Sequence, residues 1–211
     1  MPLIETTRHG DIHVLRMARP PVNALDPALC RALTAAIADA LAEGAQGLVL
    51  AGGQKVFSAG LDVPHLLSLG EDGDALLGAW TDFFEAARAL LGAAVPVVAA
   101  MAGHAPAGGC VLALCCDYRI MAEGPFRIGL NETQVGLVAP EGIQSLLARC
   151  VGRHRAERLL VAGAMVDAAE ASRTGLVDEL AGIDEVEVRA IAWLRGLLQL
   201  PRTPMLETRR I

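Results

Sequence analysis

The carboxylate of Glu132 lies in the segment RIGLNETQVGLVAPEG (residues 127–142), between an apolar stretch and a loop bounded by glycine and proline. Asn131 precedes it, and a second carboxylate, Glu141, follows in APEG. A carboxyl group in an apolar setting can act as a general acid or base, because desolvation raises its pKa towards neutrality. On this stretch alone the simpler interpretation is a short strand followed by a solvated turn.

Two other segments bring glycine to the point where a predicted strand ends and a predicted helix begins, namely FSAGLD (residues 57–62) and APAGG (residues 105–109). Free N–H groups at the start of a helix can bind an oxyanion, and glycine allows another molecule to approach the backbone closely. The alternative is that both segments are tight turns in a chain with 22 glycines.

The motifs of several other sites are missing from the sequence. A G-x-G-x-x-G fingerprint after a strand and a P-loop are both absent, which argues against a nucleotide-phosphate loop of either kind. Ser58 is not in a G-x-S-x-G elbow, so we do not expect a hydrolase nucleophile there. No metal site is predicted, because metal-ligand spacing is absent among His9, His13, His65, His104 and His154.

Hydrophobic periodicity predicts an α/β protein that opens with a β-hairpin over residues 3–15. A helix follows from Pro27 to Gly44 with Asp26 as its N-cap, and GLVLAG then predicts a strand buried on both faces. A second helix is predicted over residues 74–91. Its expected apolar stripe is Leu76, Leu77, Trp80, Phe83, Phe84, Ala87 and Leu91.

The rest of the chain repeats strand, loop and helix and then becomes mainly helical. VPVVAAMAG and DYRIMAE predict strands on either side of a short helix in CVLALCC, and GLVDEL predicts another strand. Two capping boxes mark later helix starts, Asp167 with Glu170 and Asp184 with Glu187.

Composition limits the classes of partner. The 211 residues carry a formal net charge of -6 without a cationic stripe, so nucleic acid is not an expected partner. No apolar run is long enough to span a bilayer, and we expect a cytoplasmic protein without membrane contact. The 53% hydrophobic content favours a homo-oligomer. Reduced, buried thiols are predicted for Cys30, Cys110, Cys115, Cys116 and Cys150.

The succession of RPPVNAL, KVFSAGLDV, HAPAGGCVLALCCDYRI and IGLNETQVGLVAP resembles the crotonase (enoyl-CoA hydratase/isomerase) superfamily. Within that superfamily it is most similar to Δ3,Δ2-enoyl-CoA isomerases of the mitochondrial type. The resemblance implies an α/β fold of the ClpP/crotonase kind, with a spiral core of repeated ββα units over residues 1–180. A helical segment, shortened relative to the family, would follow over residues 181–211, and the assembly would be a homotrimer or hexamer.

The resemblance also assigns roles to the residues of the three segments. Glu132 corresponds to the catalytic acid/base, and the N–H groups of Leu61 and Gly108 correspond to an oxyanion hole for the thioester of an acyl-CoA. Coenzyme A is part of that substrate, so no separate cofactor is expected. Further substrate contacts are implied for Ala59, Gly60, Asp62, Val63, Gly109 and Asn131.

One departure from the family bears on the reaction. Hydratases of the superfamily carry a first glutamate three residues after the oxyanion-hole glycine, where this sequence has Val111. An apolar side chain does not hold or deprotonate water, which favours a 3-enoyl-CoA to 2-enoyl-CoA isomerase of fatty-acid β-oxidation. The alternatives are another crotonase-type reaction, such as hydration or thioester hydrolysis, and a catalytically silent acyl-CoA-binding or scaffold protein.

Four further charged residues are candidates for a role at the site or at a helix end. Glu141 is interpreted as a carboxylate at a helix N-terminus, with a supporting role in the site as the alternative. Arg202, Arg209 and Arg210 are candidates for the phosphates of coenzyme A by charge and position.

Overall fold

The computed structural model describes residues 2–209, which form two β-sheets covered by helices. The strands are β1 (Ile4–His9), β2 (Ile12–Met17), β3 (Gly47–Ala51), β4 (Val97–Met101), β5 (Ala105–Pro106), β6 (Tyr118–Ala122), β7 (Arg127–Gly129), β8 (Val166–Asp167) and β9 (Glu179–Ala181). The larger sheet has six strands in the order β1-β2-β3-β4-β6-β9, and the smaller has three in the order β5-β7-β8.

The helices lie between and outside these strands. They are α1 (Pro27–Ala42), α2 (Val63–Ser68), α3 (Gly73–Leu91), α4 (Gly108–Leu114), α5 (Glu141–Val151), α6 (Arg153–Ala162), α7 (Ala168–Thr174), α8 (Val186–Leu197) and α9 (Arg202–Arg209). A short 3-10 helix, Glu132–Val135, follows β7. The expectation of an α/β protein is therefore confirmed.

The predicted hairpin and first helix are also confirmed. β1 and β2 pair in antiparallel register, whereas β2, β3, β4, β6 and β9 run parallel to one another. The Asp26 side chain accepts a hydrogen bond from the Leu29 N–H, and this cap starts α1 one residue later at Pro27. Every residue of β3 and β4 is buried, as expected for parallel strands covered on both faces.

The helix predicted over residues 74–91 is present as α3, but its expected apolar stripe is partly wrong. Leu77 is 66% exposed and Leu91 is 47% exposed. The buried face consists mainly of small residues, Ala79, Ala86 and Ala87 together with Phe83 and Leu90, and α3 packs closely against α1. Phe83 and Ala87 belong to both the expected stripe and the buried face, so the prediction holds at these two positions and fails at Leu77 and Leu91. α2 was not predicted.

One of the two predicted capping boxes is wrong. Asp167 caps α7 by accepting a hydrogen bond from the Glu170 N–H, which is half of the expected box, whereas the Glu170 side chain pairs with Arg173. α8, in contrast, begins at Val186 after Glu185, without a side-chain cap. Asp184 and Glu187 instead bind distant side chains, Asp184 accepting a hydrogen bond from Gln54 and Glu187 pairing with Arg16. Tertiary ion pairing has therefore replaced local capping at this position.

The C-terminal part of the chain shares the core of the large sheet. β9 crosses the position near residue 180 at which a division was expected, and α8 packs on β3, β4 and β6. The Arg209 guanidinium lies 2.8 Å from both Asp117 carboxylate oxygens and donates to the Ala93 carbonyl at 2.6 Å. Arg202 donates to Gln46. Both arginines therefore have structural partners, and Arg210 lies outside the described residues.

The cysteines largely match the prediction of buried thiols. Cys30, Cys110, Cys115 and Cys116 are buried, whereas Cys150 is half-buried. Burial raises the pKa of the Cys30 thiol to about 12, so this side chain is a neutral hydrophobic group. Among residues 2–209, none of the helices is both long and apolar enough to cross a membrane.

Leu33 tests how much α1 contributes to the core. It is 0% exposed and belongs to the cluster between the large sheet, α1 and α3. We expect Leu33→Ala to lower the free energy of unfolding by about 2–5 kcal/mol, because it removes buried methyl groups and leaves a cavity. Urea denaturation measures the change. The exposed Leu77→Ala is the matched control, with an expected change within about 0.5 kcal/mol; equal effects of the two substitutions would contradict this account of the core.

Candidate functional site

A cavity of about 450 Å³ brings together the three segments singled out by their residue types. Leu61, Gly108 and Glu132 all line it, and so do three of the further residues implied by the resemblance, Ala59, Val63 and Asn131. The remaining lining is Leu66, Trp80, Phe83, Phe84, Pro106, Ala107, Val111, Val135, Leu137, Val138, Pro140 and Ile143. Glu132 is the one carboxylate among these described lining residues.

The two glycine-bearing segments touch through their backbones. A β-carbon placed on Gly60 would lie 2.9 Å from the Gly108 nitrogen, and one placed on Gly108 would lie 3.3 Å from the Leu61 nitrogen. Gly60 also has a positive φ of 84°, a backbone conformation that side chains disfavour. Glycine at both positions therefore lets two backbone N–H groups, those of Leu61 and Gly108, lie close together.

These two N–H groups are available for a ligand. Within the part of the chain that the structure describes, neither donates to a protein acceptor, although Ala107 and Asp62 beside them do. Gly108 is the first residue of α4, where N–H groups have no intrahelical partner. Ala107 precedes it at φ 45° and ψ −119°, a strained conformation for a residue with a β-carbon. Two such donors can stabilise one oxygen anion.

Buried polar contacts hold the segment that carries Leu61. The Ser58 hydroxyl donates to the Asn23 carbonyl at 2.8 Å and accepts from the Gly60 N–H at 3.2 Å. The Asn23 side chain in turn donates to the Phe57 carbonyl at 3.0 Å. Asn23 and Ser58 are both buried, so these contacts are shielded from water. From the sequence, Ser58 was assessed only as a nucleophile and no role was predicted for Asn23, although it lies in the RPPVNAL segment of the family resemblance. In the structure Asn23 has a left-handed φ of 50°.

Three residues implied as substrate contacts lie outside the cavity lining. Asp62 accepts a hydrogen bond from the His65 N–H at the start of α2 and pairs with Arg19 at 2.7 Å. The hydrogen bond from His65, followed by that from Arg19, lowers the pKa of Asp62. Gly60 forms the close backbone contact described above, and a β-carbon on Gly109 would collide with the Ser58 carbonyl. These three residues therefore hold the backbone around the cavity in place and do not line it.

Glu132 begins the 3-10 helix and is not part of a freely solvated turn. Its Oε2 atom is buried without a hydrogen-bond partner, and the same is true of Oδ1 of the neighbouring Asn131. Desolvation by burial raises the pKa of the Glu132 carboxyl group above its ordinary value. The arrangement favours a carboxyl group that takes up and releases a proton, because its ionised form is poorly stabilised.

The rest of the cavity is apolar. Val111 and Ile143 are buried in its wall, and the side chains of Trp80, Phe83 and Phe84 line it from α3. From the sequence, these aromatic residues were predicted only as part of the apolar stripe of a helix. Their clustering could have indicated a site. The chain has only two tryptophans and four phenylalanines, yet Trp80, Phe83 and Phe84 lie within five residues on α3.

Glu141 is the first residue of α5, as the helix-terminus interpretation predicted. Its side chain is exposed, and it is absent from the described cavity lining. No contact with the described cavity lining therefore supports the alternative of a supporting role for Glu141. The cavity offers one proton-transferring group, two free backbone donors and an apolar interior, an arrangement suited to proton transfer on a substrate that forms an oxygen anion.

The raised pKa of Glu132 has a consequence for stability. The folded protein binds this proton more tightly than the unfolded chain, so the stabilising contribution is complete at acid pH and is lost as pH rises through the folded pKa. Glu132→Gln removes the ionised form. We expect the variant to be at least as stable as the wild type at neutral pH, with an advantage that disappears in acid, as measured by urea unfolding across pH. A disadvantage that grows as pH rises would show that the ionised carboxylate is stabilised by the fold.

Comparisons with known proteins identify the family of the chain. A family model described as enoyl-CoA hydratase/isomerase matches residues 7–207. The mitochondrial enoyl-CoA delta isomerase 1 of Mus musculus is 34% identical over 202 residues, covering 94% of this chain and 69% of that protein. A probable enoyl-CoA hydratase of Mycobacterium avium is 35% identical over 199 residues, covering 93% of this chain and 76% of that protein.

Solved structures of related proteins have a similar fold. The crystal structure of human mitochondrial Δ3-Δ2-enoyl-CoA isomerase gives a TM-score of 0.93 at 31% identity, covering 98% of this chain and 81% of that chain. The structure of a probable enoyl-CoA hydratase from Mycobacterium tuberculosis gives 0.91 at 32% identity, covering 98% and 86%. The crotonase-like fold class and the resemblance seen in the sequence are confirmed. The chain belongs to the enoyl-CoA hydratase/isomerase family.

Proposed function

We propose that this protein catalyses a crotonase-type reaction of acyl-CoA thioesters, the conversion of 3-enoyl-CoA to 2-enoyl-CoA. The observation that carries the proposal is the pairing of one carboxylate, Glu132, with two unoccupied backbone donors on the same apolar cavity. The similarity to proteins named enoyl-CoA isomerases supports the choice of substrate. The place in fatty-acid β-oxidation and the homotrimeric or hexameric assembly stay predictions of the resemblance.

The reaction begins with removal of a proton from C2 of the substrate. Ionised Glu132 takes this proton, and the electron pair of the C–H bond moves into a dienolate whose negative charge lies largely on the thioester oxygen. Burial of Glu132 assists this step, because a desolvated carboxylate with a raised pKa is a stronger base than a carboxylate in water.

The thioester oxygen receives its stabilisation from the backbone. The N–H groups of Leu61 and Gly108 donate to it as its charge grows, and a preorganised donor of this kind contributes about 3 kcal/mol to the transition state. Because the two segments are held together by the contact at Gly60, the donors do not have to reorganise during the reaction.

The second half of the reaction returns the proton. Glu132, now protonated, delivers it to C4, and the double bond forms between C2 and C3. One carboxyl group can serve both carbons because they belong to the same short segment of one molecule. Atoms and charge balance without water, metal or an oxidant in the overall conversion.

Hydration is the second candidate, because relatives of comparable identity are named probable enoyl-CoA hydratases. Water addition needs a group that orients the water and accepts its proton near C3 of the substrate. Val111 occupies the position of the family's first glutamate, and Glu141 is exposed outside the described lining. The apolar character of this side of the cavity therefore favours isomerisation.

Glu132→Gln tests the catalytic role directly. We expect the variant to bind a CoA thioester with little change and to lose at least ~100-fold in isomerase turnover, because it no longer takes up a proton. Turnover is measured with 3-hexenoyl-CoA by the absorbance of the conjugated product, and binding by calorimetry with a saturated acyl-CoA. Turnover near that of the wild type would remove Glu132 from the mechanism.

Val111 separates the two candidate reactions. The wild type is expected to convert 3-hexenoyl-CoA to 2-hexenoyl-CoA but to form little 3-hydroxyacyl-CoA from crotonyl-CoA, since one carboxylate suffices for proton transfer within the substrate. Product chromatography distinguishes the two activities, and Val111→Glu is the comparison variant that restores the missing carboxylate. Efficient hydration by the unmodified protein would assign the chain to the hydratases.

A further inference from the structure

Three aromatic side chains from α3, Trp80, Phe83 and Phe84, form what we call the aromatic wall of the cavity. The rings of Trp80 and Phe84 stack with centroids 5.9 Å apart and an interplanar angle of 23°. Phe83 meets Trp80 edge-on at 6.3 Å and lies 5.3 Å from Phe84. Contacts of this kind stabilise one another, so the wall is a single packed unit.

The aromatic wall is held in place by the hydrophobic core and by the packing of α3 on α1. Phe83 is 1% exposed and belongs to the main hydrophobic core, on which Trp80 and Phe84 also pack. α3 itself packs along α1 and is tied to it by the ion pair between Asp82 and Arg31. Because the rings are backed by the core, a ligand does not displace them without disturbing the packing of both helices.

Apart from Glu132, Asn131 and the backbone donors, the described lining of the cavity consists mainly of apolar side chains. Under the proposed function, the N–H groups of Leu61 and Gly108 hold the thioester and Glu132 lies beside C2 and C4. The carbons beyond C4 then have only the apolar lining to contact. The whole cavity has a volume of about 450 Å³, at the lower end of the range of roughly 300–1,000 Å³ found for small-molecule sites.

We infer that the aromatic wall ends the acyl-binding part of the cavity and restricts this protein to acyl-CoA thioesters with short and medium linear chains. This inference rests on the proposed function, because it takes an acyl-CoA as the ligand. It assigns Trp80 and Phe84 a role in specificity, and neither residue takes part in proton transfer.

Saturated acyl-CoA thioesters test the inference without turnover, because they have no double bond to move. From butyryl-CoA to octanoyl-CoA the affinity should rise by about fourfold for each methylene group buried. Lauroyl-CoA and palmitoyl-CoA should gain nothing more in the wild type. An affinity that keeps rising to palmitoyl-CoA would overturn the inference.

Trp80→Ala should move this limit. In the variant, lauroyl-CoA is expected to bind at least about tenfold more tightly than it does to the wild type, because two or more further methylene groups become buried. Butyryl-CoA affinity should be unchanged. Leu77→Ala, a leucine on the same helix that is exposed and absent from the described lining, is the matched control and should keep the wild-type profile. If Trp80→Ala does not fold, Phe84→Leu carries the test; a wild-type profile in the folded variant contradicts the inference.

Fluorescence gives an independent measure of contact with the wall. The chain has two tryptophans, and Trp193 stacks on Tyr118 away from the cavity lining. Octanoyl-CoA should shift the emission of the wild type, free coenzyme A should not, and Trp80→Phe should abolish the shift. A shift that persists in Trp80→Phe would place the acyl chain elsewhere.

The two proposals fail in different ways. If the chain-length limit is found but 3-enoyl-CoA is not isomerised, the aromatic wall stands and the isomerase proposal falls. If 3-enoyl-CoA is isomerised equally well at every chain length, the isomerase proposal stands and the limit falls. Absence of binding by every acyl-CoA would overturn both.

Discussion

The close backbone contact between Gly60 and Gly108 is the constraint on which the rest of the site depends. A β-carbon on Gly60 would lie 2.9 Å from the Gly108 nitrogen, too close for a side chain. One on Gly108 would lie 3.0 Å from the Leu25 side chain and 3.2 Å from the Gly60 α-carbon. The contact sets the spacing of the Leu61 and Gly108 N–H groups. Buried hydrogen bonds from the Ser58 hydroxyl and the Asn23 side chain hold the loop that carries Gly60.

The same constraint extends to Glu132 through the smaller sheet. β5, which leads into Gly108, pairs with β7, which leads into Glu132, in the register Ala105 with Ile128 and Pro106 with Gly129. The Ala107 N–H donates to the Gly129 carbonyl at 2.9 Å and continues this pairing to the start of α4. A short ladder therefore places the proton-transferring group and the backbone donors on one cavity, although they are far apart in the sequence.

Electrostatics and packing act together at this cavity. The apolar lining that we propose accommodates an acyl chain is also what desolvates Glu132 and raises its pKa. An anionic oxygen in such a setting is stabilised chiefly by the fixed backbone donors, because nearby water is largely excluded. Under the proposed function, the apolar lining thus serves both the accommodation of the substrate and the acid/base strength of Glu132.

Features with a local cause were predicted well from the sequence. The hairpin of β1 and β2 follows from alternation, α1 from its Asp26 cap and periodic leucines, and β3 from a short apolar run between glycines. Features with a non-local cause were not. α2 is too short to show helical periodicity. The buried face of α3 depends on how this helix packs against α1. Asp184 accepts a hydrogen bond from Gln54, in a distant loop, instead of capping a helix.

The same reason separates the site residues that the sequence indicated from those that only the structure revealed. Residue types marked Glu132 and the two glycine-bearing segments as possible sites, and the resemblance to the crotonase superfamily assigned roles to Glu132, Leu61 and Gly108. Which neighbours join them depends on the packing of segments distant along the chain. Sheet pairing and helix packing brought Trp80 and Phe84 to the cavity and placed Asp62 and Gly109 behind it, since contact between separate elements has no signature in the local pattern of either one.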